Sequence, residues 1–348
     1  MKKALSIVFV VFLLLLGACS QQSGIQGEKP KESEGSKGDS SPKLMKLAVV
    51  TAEERSLTKG LVKFGELVEA KTNGSIKVEV FPNGQLGGDR EVFESLQFGS
   101  IQGTTMSTGP IAQFAPKFNV FDLPFLFPTS EIAYEVLDGP TGAELLKELE
   151  SQNVVGLNYW ENGFRHLTNN AKEVKSPDDV KGLKIRTLEN DLHMAIWSEL
   201  GANPTPMAFT ELFAGLQQGV VDGQENPVGN VTGNKFFEVQ KYLSKTGHVY
   251  NASPFLISKD FWESLTDEEK EALKEAADEA RDYQRELNQK EDEDGYKILA
   301  DNGMVITDLT SEDKEKFFEK VQPVYEKFSD SIGKDFVEKL LSEIEKLK

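Results

Sequence analysis

Beyond residue 43 the apolar positions fall into short runs that switch repeatedly between a two-residue period and a helical one. Residues 44–50 read as a strand, and residues 52–71 place Leu57, Leu61, Phe64, Leu67 and Val68 at helical spacing. Asn73-Gly74 stops that helix, and Ile76, Val78 and Val80 then alternate with Lys77 and Glu79 as a half-buried strand. The order returns later. Residues 154–159 are strand-like. Ser176-Pro177-Asp178-Asp179 supplies an N-cap, a proline at the first helical position and an acidic first turn. Residues 183–186 are again strand-like, and a helix then runs to Leu200 and closes at Gly201. Such alternation predicts an α/β protein with parallel-type units. The carboxyl-terminal part is different: Thr266-Asp267-Glu268-Glu269 is a capping box opening a charged helix that runs past Asn288, and another helix follows Ser311. Their Glu and Lys residues read as solvated faces with i,i+4 pairing.

One pattern occurs twice. EVFESLQFGSIQG, residues 91–103, aligns without a gap on ELFAGLQQGVVDG, residues 211–223, with Glu, Phe, Leu, Gln and two Gly at the same offsets. Each copy predicts a short helix stopped by glycine, an apolar start to a strand, and a second glycine where backbone needs room. Two lobes of like construction follow from this, with the two joints on facing edges, and open α/β sheets bind ligands outside the carboxyl ends of their strands. After the second copy the chain devotes Asp222, Gly223, Gln224, Glu225, Asn226 and Pro227 to polar turn chemistry, a tip expected to face the cleft between the lobes.

The amino-terminal residues bear on location. Lys2 and Lys3 precede an apolar run over residues 4–16, and Leu16-Gly17-Ala18-Cys19 follows. That is the pattern of a secretory signal (1–18) ending in a lipoprotein cleavage box, with Cys19 as the lipidated first residue. The run is shorter than the about 20 residues a bilayer span needs. Cys19 is the only cysteine, so the secreted fold is expected to rest on an ordinary core without a disulfide. Residues 19–43, rich in Ser, Gly, Gln, Lys and Glu, read as a flexible tether. The formal charge of −18 becomes −20 when Lys2 and Lys3 leave with the signal, which argues against nucleic-acid binding. If the ligand is an acid, its pocket must carry local positive charge.

No nucleophile elbow, zinc-protease helix or phosphate-binding loop is present, and His166, His193 and His248 are scattered, so no catalytic residue, metal or cofactor is predicted. Arginine in strand-like settings stands out instead. Arg165 follows an Asn-Gly turn beside Trp160 and Phe164, and Arg186 ends the apolar run GLKIR. Either guanidinium can be held by a local carboxylate, the commoner arrangement, or can receive a ligand carboxylate in a bidentate pair.

From residue 44 onward the chain resembles the substrate-binding proteins of tripartite ATP-independent periplasmic (TRAP) transporters. FPNGQLGGDRE, FDLPFLF, NGFRHLTN, GLKIR, GANPTPMAFTELFAGLQQGVVDGQENP and FFEVQKYLSKTGH carry the resemblance in the family's order. It implies a two-lobed periplasmic-binding-protein-like α/β fold with hinge strands and a long helix crossing both lobes. Lobe I is expected to comprise 44–163 and 252–291, and lobe II 164–251 and 292–348. It implies, too, capture of a small organic acid outside the membrane, and delivery to a permease of a small and a large membrane subunit driven by an ion gradient. By resemblance Arg186 clamps the ligand carboxylate, Arg165 is the second basic group, Asn226 also holds the carboxylate, and Phe209 is an aromatic wall. Asp89 and Ser107 face the ligand's other end, and Glu161 and Glu189 are placed to take hydroxyls. Trp160 is counted with the pocket, with core packing as its alternative, and Trp197 is assigned to the core. These features fit a sugar acid and a C4-dicarboxylate about equally; an extracytoplasmic enzyme or a ligand-sensing co-receptor is the alternative function. Lipidation would hold the protein at the outer face of the cytoplasmic membrane or in the periplasm.

Overall fold

A computed structural model of the protein describes residues 41–348; the expected signal, Cys19 and the tether up to residue 40 lie outside the described residues. The strands are β1 (Lys43–Ala48), β2 (Ile76–Phe81), β3 (Gly103–Thr105), β4 (Val154–Asn169), β5 (Lys184–Thr187), β6 (Asn203–Pro206), β7 (Gly223–Asn226), β8 (Tyr242–Ser258) and β9 (Val305–Thr307). They join in the order β2-β1-β3-β8-β4-β7-β5-β6, with β9 beside β8. β1 pairs in parallel with β2 and β3, and β3 runs antiparallel to the end of β8. The other half repeats this: β5 pairs in parallel with β6 and β7, and β7 runs antiparallel to the end of β4. The two copies of the internal echo occupy equivalent places, helix Asp89–Gln97 leading into β3 and helix Phe209–Gln217 leading into β7.

β4 and β8 run antiparallel along almost their whole length and belong to both halves. Midway the register slips between Glu161 and Gly163, and Gly163 takes φ 113°. A bulge twists a strand and leaves ladder groups unpaired. Gln284 meets that need, since its amide accepts from the Glu161 N–H (2.9 Å) and donates to the Glu161 carbonyl (2.6 Å). Gln284 sits on the helix Asp267–Asp301, capped by Thr266 as the sequence predicts. That helix buries Leu273, Ala276, Ala277 and Ala280 in its first half, Gln284 and Asn288 at the crossing, and Gly295 and Leu299 beyond. It packs on helix Ser56–Lys71 of one half, on β4, and on helix Val228–Gly233 of the other. This is the long helix that crosses a two-lobed fold.

Two local expectations change. The predicted polar turn after Asp222 is instead β7, whose four residues are all buried, with Gln224, Glu225 and Asn226 each hydrogen-bonded to neighbouring side chains. The strand predicted over residues 154–159 continues to Asn169. The last helices, Ser311–Ile332 and Lys334–Leu347, pack on helix Asp191–Glu199, on the turn Pro116–Asp122 and on helix Ser130–Leu137, so the chain's end touches elements following both β3 and β5.

Candidate ligand-binding site

The two halves meet over a small cavity. Asp89, Thr105, Met106 and Ser107 line it from the β3 side, Leu188, Phe209, Asn226 and Asn230 from the β7 side, and Asn162 of β4 lies between them. Its volume is about 20 Å³, room for about one water.

Four sequence-predicted residues, Asp89, Ser107, Phe209 and Asn226, line this cavity. Ser107 is held in place: its Oγ donates to Asn251 Oδ1 at 2.8 Å and accepts from Asn162 Nδ2 at 3.2 Å. Asn226 Oδ1 accepts from Asn230 Nδ2 (3.0 Å) and Arg165 Nη2 (3.3 Å), while its amide nitrogen donates to Gln224. Asp89 opens helix Asp89–Gln97 and is 8 % exposed. Burial pushes its carboxyl up to about 7 against the pull of Arg186, with Glu189 adding to the rise.

The two arginines lie just behind this lining and differ. Arg165, fully buried on β4, grips Glu225 of the adjacent strand: Nε donates to Oε2 (2.5 Å), Nη2 to Oε1 (2.9 Å) and to the Glu225 carbonyl (2.5 Å), and Nη1 reaches Asn251 Oδ1 (3.2 Å). His248 Nε2 lies 3.1 Å from Glu225 Oε2, and His193 lies 3.9 Å from Oε1 on its other side. Burial alone would raise the Glu225 carboxyl, but the Arg165 guanidinium and the two rings outweigh it and hold it well below the usual range. Burial depresses His248, even against its bond to Glu225. Arg165 is therefore the ion-paired strand residue that the sequence left as one of two readings.

Arg186 is 1 % exposed on β5. Nε and Nη2 both donate to the Met207 carbonyl, at 2.9 and 2.6 Å, and the guanidinium carbon lies 5.9 Å from the centre of the Phe209 ring. Nη1 has no partner, and among the described residues Arg186 makes no salt bridge. Burial and the nearby Arg165 charge bring its pKa down to about 10 despite Glu225, Asp89 and Glu189. A buried cation without a paired anion is costly, and a ligand anion removes that cost.

The remaining expectations are placed elsewhere. Trp160 is a core residue and not a pocket wall: it is fully buried against Phe255 (ring centres 5.0 Å apart), and its Nε1 donates to Asn158 Oδ1 at 3.0 Å. Glu161 is held by Ser130 (2.8 Å) and Tyr134 (2.6 Å), away from the cavity. Glu189 lines an outer groove with Gln113 and Met194. Trp197 packs in the core as expected, edge-on to His248. Sequence reasoning missed Glu225, Asn162, Asn230 and Asn251. Glu225 was within reach, since it precedes Asn226 in a motif already singled out; the asparagines carry no signal of their own.

Two lobes with a repeated construction, a small cavity between them lined by apolar and polar side chains, and a buried guanidinium without an anion behind it are the frame of a two-lobed solute receptor. The model of the bacterial extracellular solute-binding proteins of family 7, the DctP family, matches residues 47–331, and the chain belongs to that family of TRAP-transporter receptors. The C4-dicarboxylate-binding periplasmic protein DctP of Rhodobacter capsulatus is 36 % identical over 301 residues, 85 % of this chain and 89 % of its own. Among solved structures, the sugar acid binding protein DctPAm from Advenella mimigardefordensis in complex with galactonate superposes with a TM-score of 0.87 at 40 % identity, covering 89 % of this chain and 100 % of that one. A TRAP solute-binding protein from Polaromonas sp. JS666 bound to D-erythronate gives 0.84 at 37 %, covering 86 % and 98 %.

Proposed function

We propose that the protein is a lipid-anchored extracytoplasmic receptor that captures a hydroxylated monocarboxylate of the sugar-acid class between its lobes and delivers it to an ion-gradient-driven membrane permease of a small and a large subunit. The observation that carries this reading is Arg186, buried, without a carboxylate partner and with Nη1 unpaired. A ligand carboxylate supplies the missing anion in a charge-assisted pair, with Asn226 as a further donor.

The relatives include receptors named for a dicarboxylate and for sugar acids, and the charge inventory supports the second class here. Both arginines lie behind the lining, and since Arg165 is engaged by Glu225, Arg186 is the one guanidinium there without a carboxylate partner among the described residues. With Arg186 taking the first carboxylate, a second one beside Asp89 would have no unengaged cation of its own. Hydroxyls suit the same wall better, because the Asp89 carboxyl and the unpartnered Asn230 Oδ1 can accept from them. The cavity holds about one water, so entry requires the lobes to part, and the bulged crossing of β4 with Gly163 is the natural place for the backbone to bend.

A thermal-shift panel of galactonate, erythronate, glucuronate, galacturonate and succinate on the mature domain tests the reading. A ligand at 100-fold its Kd adds about 2.7 kcal/mol; a panel with no shift, or steady conversion of the bound acid to product, contradicts it. Anchoring through Cys19 is supported by the Leu16-Gly17-Ala18-Cys19 box. Mass spectrometry of the mature protein is expected to find a lipid-modified Cys19 as first residue, and a different amino terminus with an unmodified Cys19 contradicts it.

A further inference from the structure

We propose that Asn190 is a positioning residue for ligand capture, fastening the segment that follows the Arg186 strand to the opposite lobe when the cleft is closed. The proposal rests on the receptor reading above. Asn190 is 5 % exposed and caps helix Asp191–Glu199, its Oδ1 accepting the N–H of Leu192 (2.7 Å) and of His193 (3.1 Å). Its Nδ2 turns the other way, donating to the Gly109 carbonyl (2.9 Å) and to Asn119 Oδ1 (2.8 Å). An amide has two hydrogens and a carbonyl oxygen with two lone pairs, and all four are engaged here.

The two ends of this amide do separate work. Capping needs only an acceptor, and serine or aspartate caps as well as asparagine. The donor half contributes nothing to the helix; its partners lie in the segment after β3, on helix Thr108–Ile111 and the turn Pro116–Asp122. Ser107 of the cavity wall immediately precedes that segment, and Leu188, two residues after Arg186, is the cavity wall on the other side. The surfaces meet closely: a Cβ on Gly109 would lie 2.9 Å from Leu188 Cδ1. One turn along, His193 Nε2 is 3.4 Å from Asp122 Oδ2. When the lobes part, water satisfies the Asn190 hydrogens, the Gly109 carbonyl and the Asn119 amide. In the closed form a residue without donors leaves both acceptors buried and unpaired, and that selectively penalises the closed form.

The test uses the mature protein and the panel acid giving the largest thermal shift. Asn190→Asp keeps the cap and loses both donors, and Asn190→Ser keeps the cap and replaces the two amide hydrogens with one hydroxyl hydrogen on a shorter side chain. The expected result is a Kd raised about tenfold, the size of one to two lost hydrogen bonds, carried mainly by faster dissociation in stopped flow. The denaturation midpoint of the ligand-free protein stays near wild type. Asn119→Ala, which leaves the cap untouched, weakens binding in the same direction, and the double variant loses less than the product of the two single effects. Wild-type Kd and dissociation rate in Asn190→Ser and Asn190→Asp, or strictly independent losses in the cycle, would overturn the proposal. Should the Asn190 variants fail to fold, Asn119→Ala decides alone, and wild-type affinity there overturns it. A wild-type protein that binds none of the acids instead defeats the receptor reading, and the proposal with it.

Discussion

Arg165 and Arg186 are two buried guanidinium groups behind the same cavity, on strands separated only by β7, yet the chain completes one and leaves the other unfinished. Arg165 has Glu225 in a bidentate pair, Asn251 beyond it and His248 buttressing the carboxylate. Arg186 has one backbone carbonyl, an aromatic ring beside it and an unpaired Nη1. The difference is one of partners, since burial is nearly equal at 0 % and 1 %. An ion pair closed within the protein supports a fold, whereas a buried cation with no internal anion is costly, and on the proposed reading a ligand supplies the anion.

The sharpest way to break this contrast is to remove each charge and ask what is lost. Arg165→Met strands Glu225 as a buried charge and is expected to cost about 3–5 kcal/mol of ligand-free stability, measured by urea denaturation; adding Glu225→Gln recovers part of it. Arg186→Met removes an uncompensated charge, so the ligand-free protein stays as stable or gains stability. Its binding of the panel acid nonetheless falls by about 2–5 kcal/mol, roughly 30-fold to several thousand-fold in Kd. A large stability loss in Arg186→Met with binding retained would reverse the two roles.

Asp89 gives a smaller, pH-dependent effect. Its folded pKa is raised to about 7 from 3.8, so over that window the folded state holds a proton that the unfolded chain releases. Stability from this group is complete below the unfolded value and is lost as pH rises through the folded one. Asp89→Asn is therefore expected to be more stable than wild type at pH 8 and equal to it at pH 3. Asp292, also raised to about 7 by burial, contributes the same slope to both proteins and cancels in the difference. Equal pH profiles for the two proteins would show that Asp89 does not carry the shift. The smallest effect belongs to Trp160→Phe: loss of the bond to Asn158 costs about 1 kcal/mol of stability, while calorimetry finds Kd within about twofold of wild type.

The same contrast explains what could be read from the chain. Parallel units, the echoed joints and the capped long helix were legible because apolar spacing and capping chemistry are local. β7 and the second half of β4 were not, because Asn162, Arg165, His166, Gln224, Glu225 and Asn226 occupy buried strand positions where a periodic search expects apolar side chains. Their polarity looked like a turn, and only the adjacency of β4 to β7 shows that these residues satisfy one another. Which arginine is ion-paired is likewise a fact of strand order: β7 places Glu225 beside Arg165, while β6, on the other edge of β5, leads into Met207, whose carbonyl receives Arg186. The sequence sets Trp160 beside Arg165 and leaves pocket and core open for it; five residues along a bulged strand carry it into the core.

The central claim is that one guanidinium, Arg186, receives one carboxylate. Calorimetry of the mature domain with erythronate and succinate tests it most directly, because both have four carbons and they differ in whether the far end carries hydroxyls or a second carboxylate. The account predicts that erythronate binds at least about tenfold tighter, on the order of 1.4 kcal/mol. Equal or tighter binding of succinate would contradict it and require a second cation beside Arg186, where Arg165 is already engaged by Glu225.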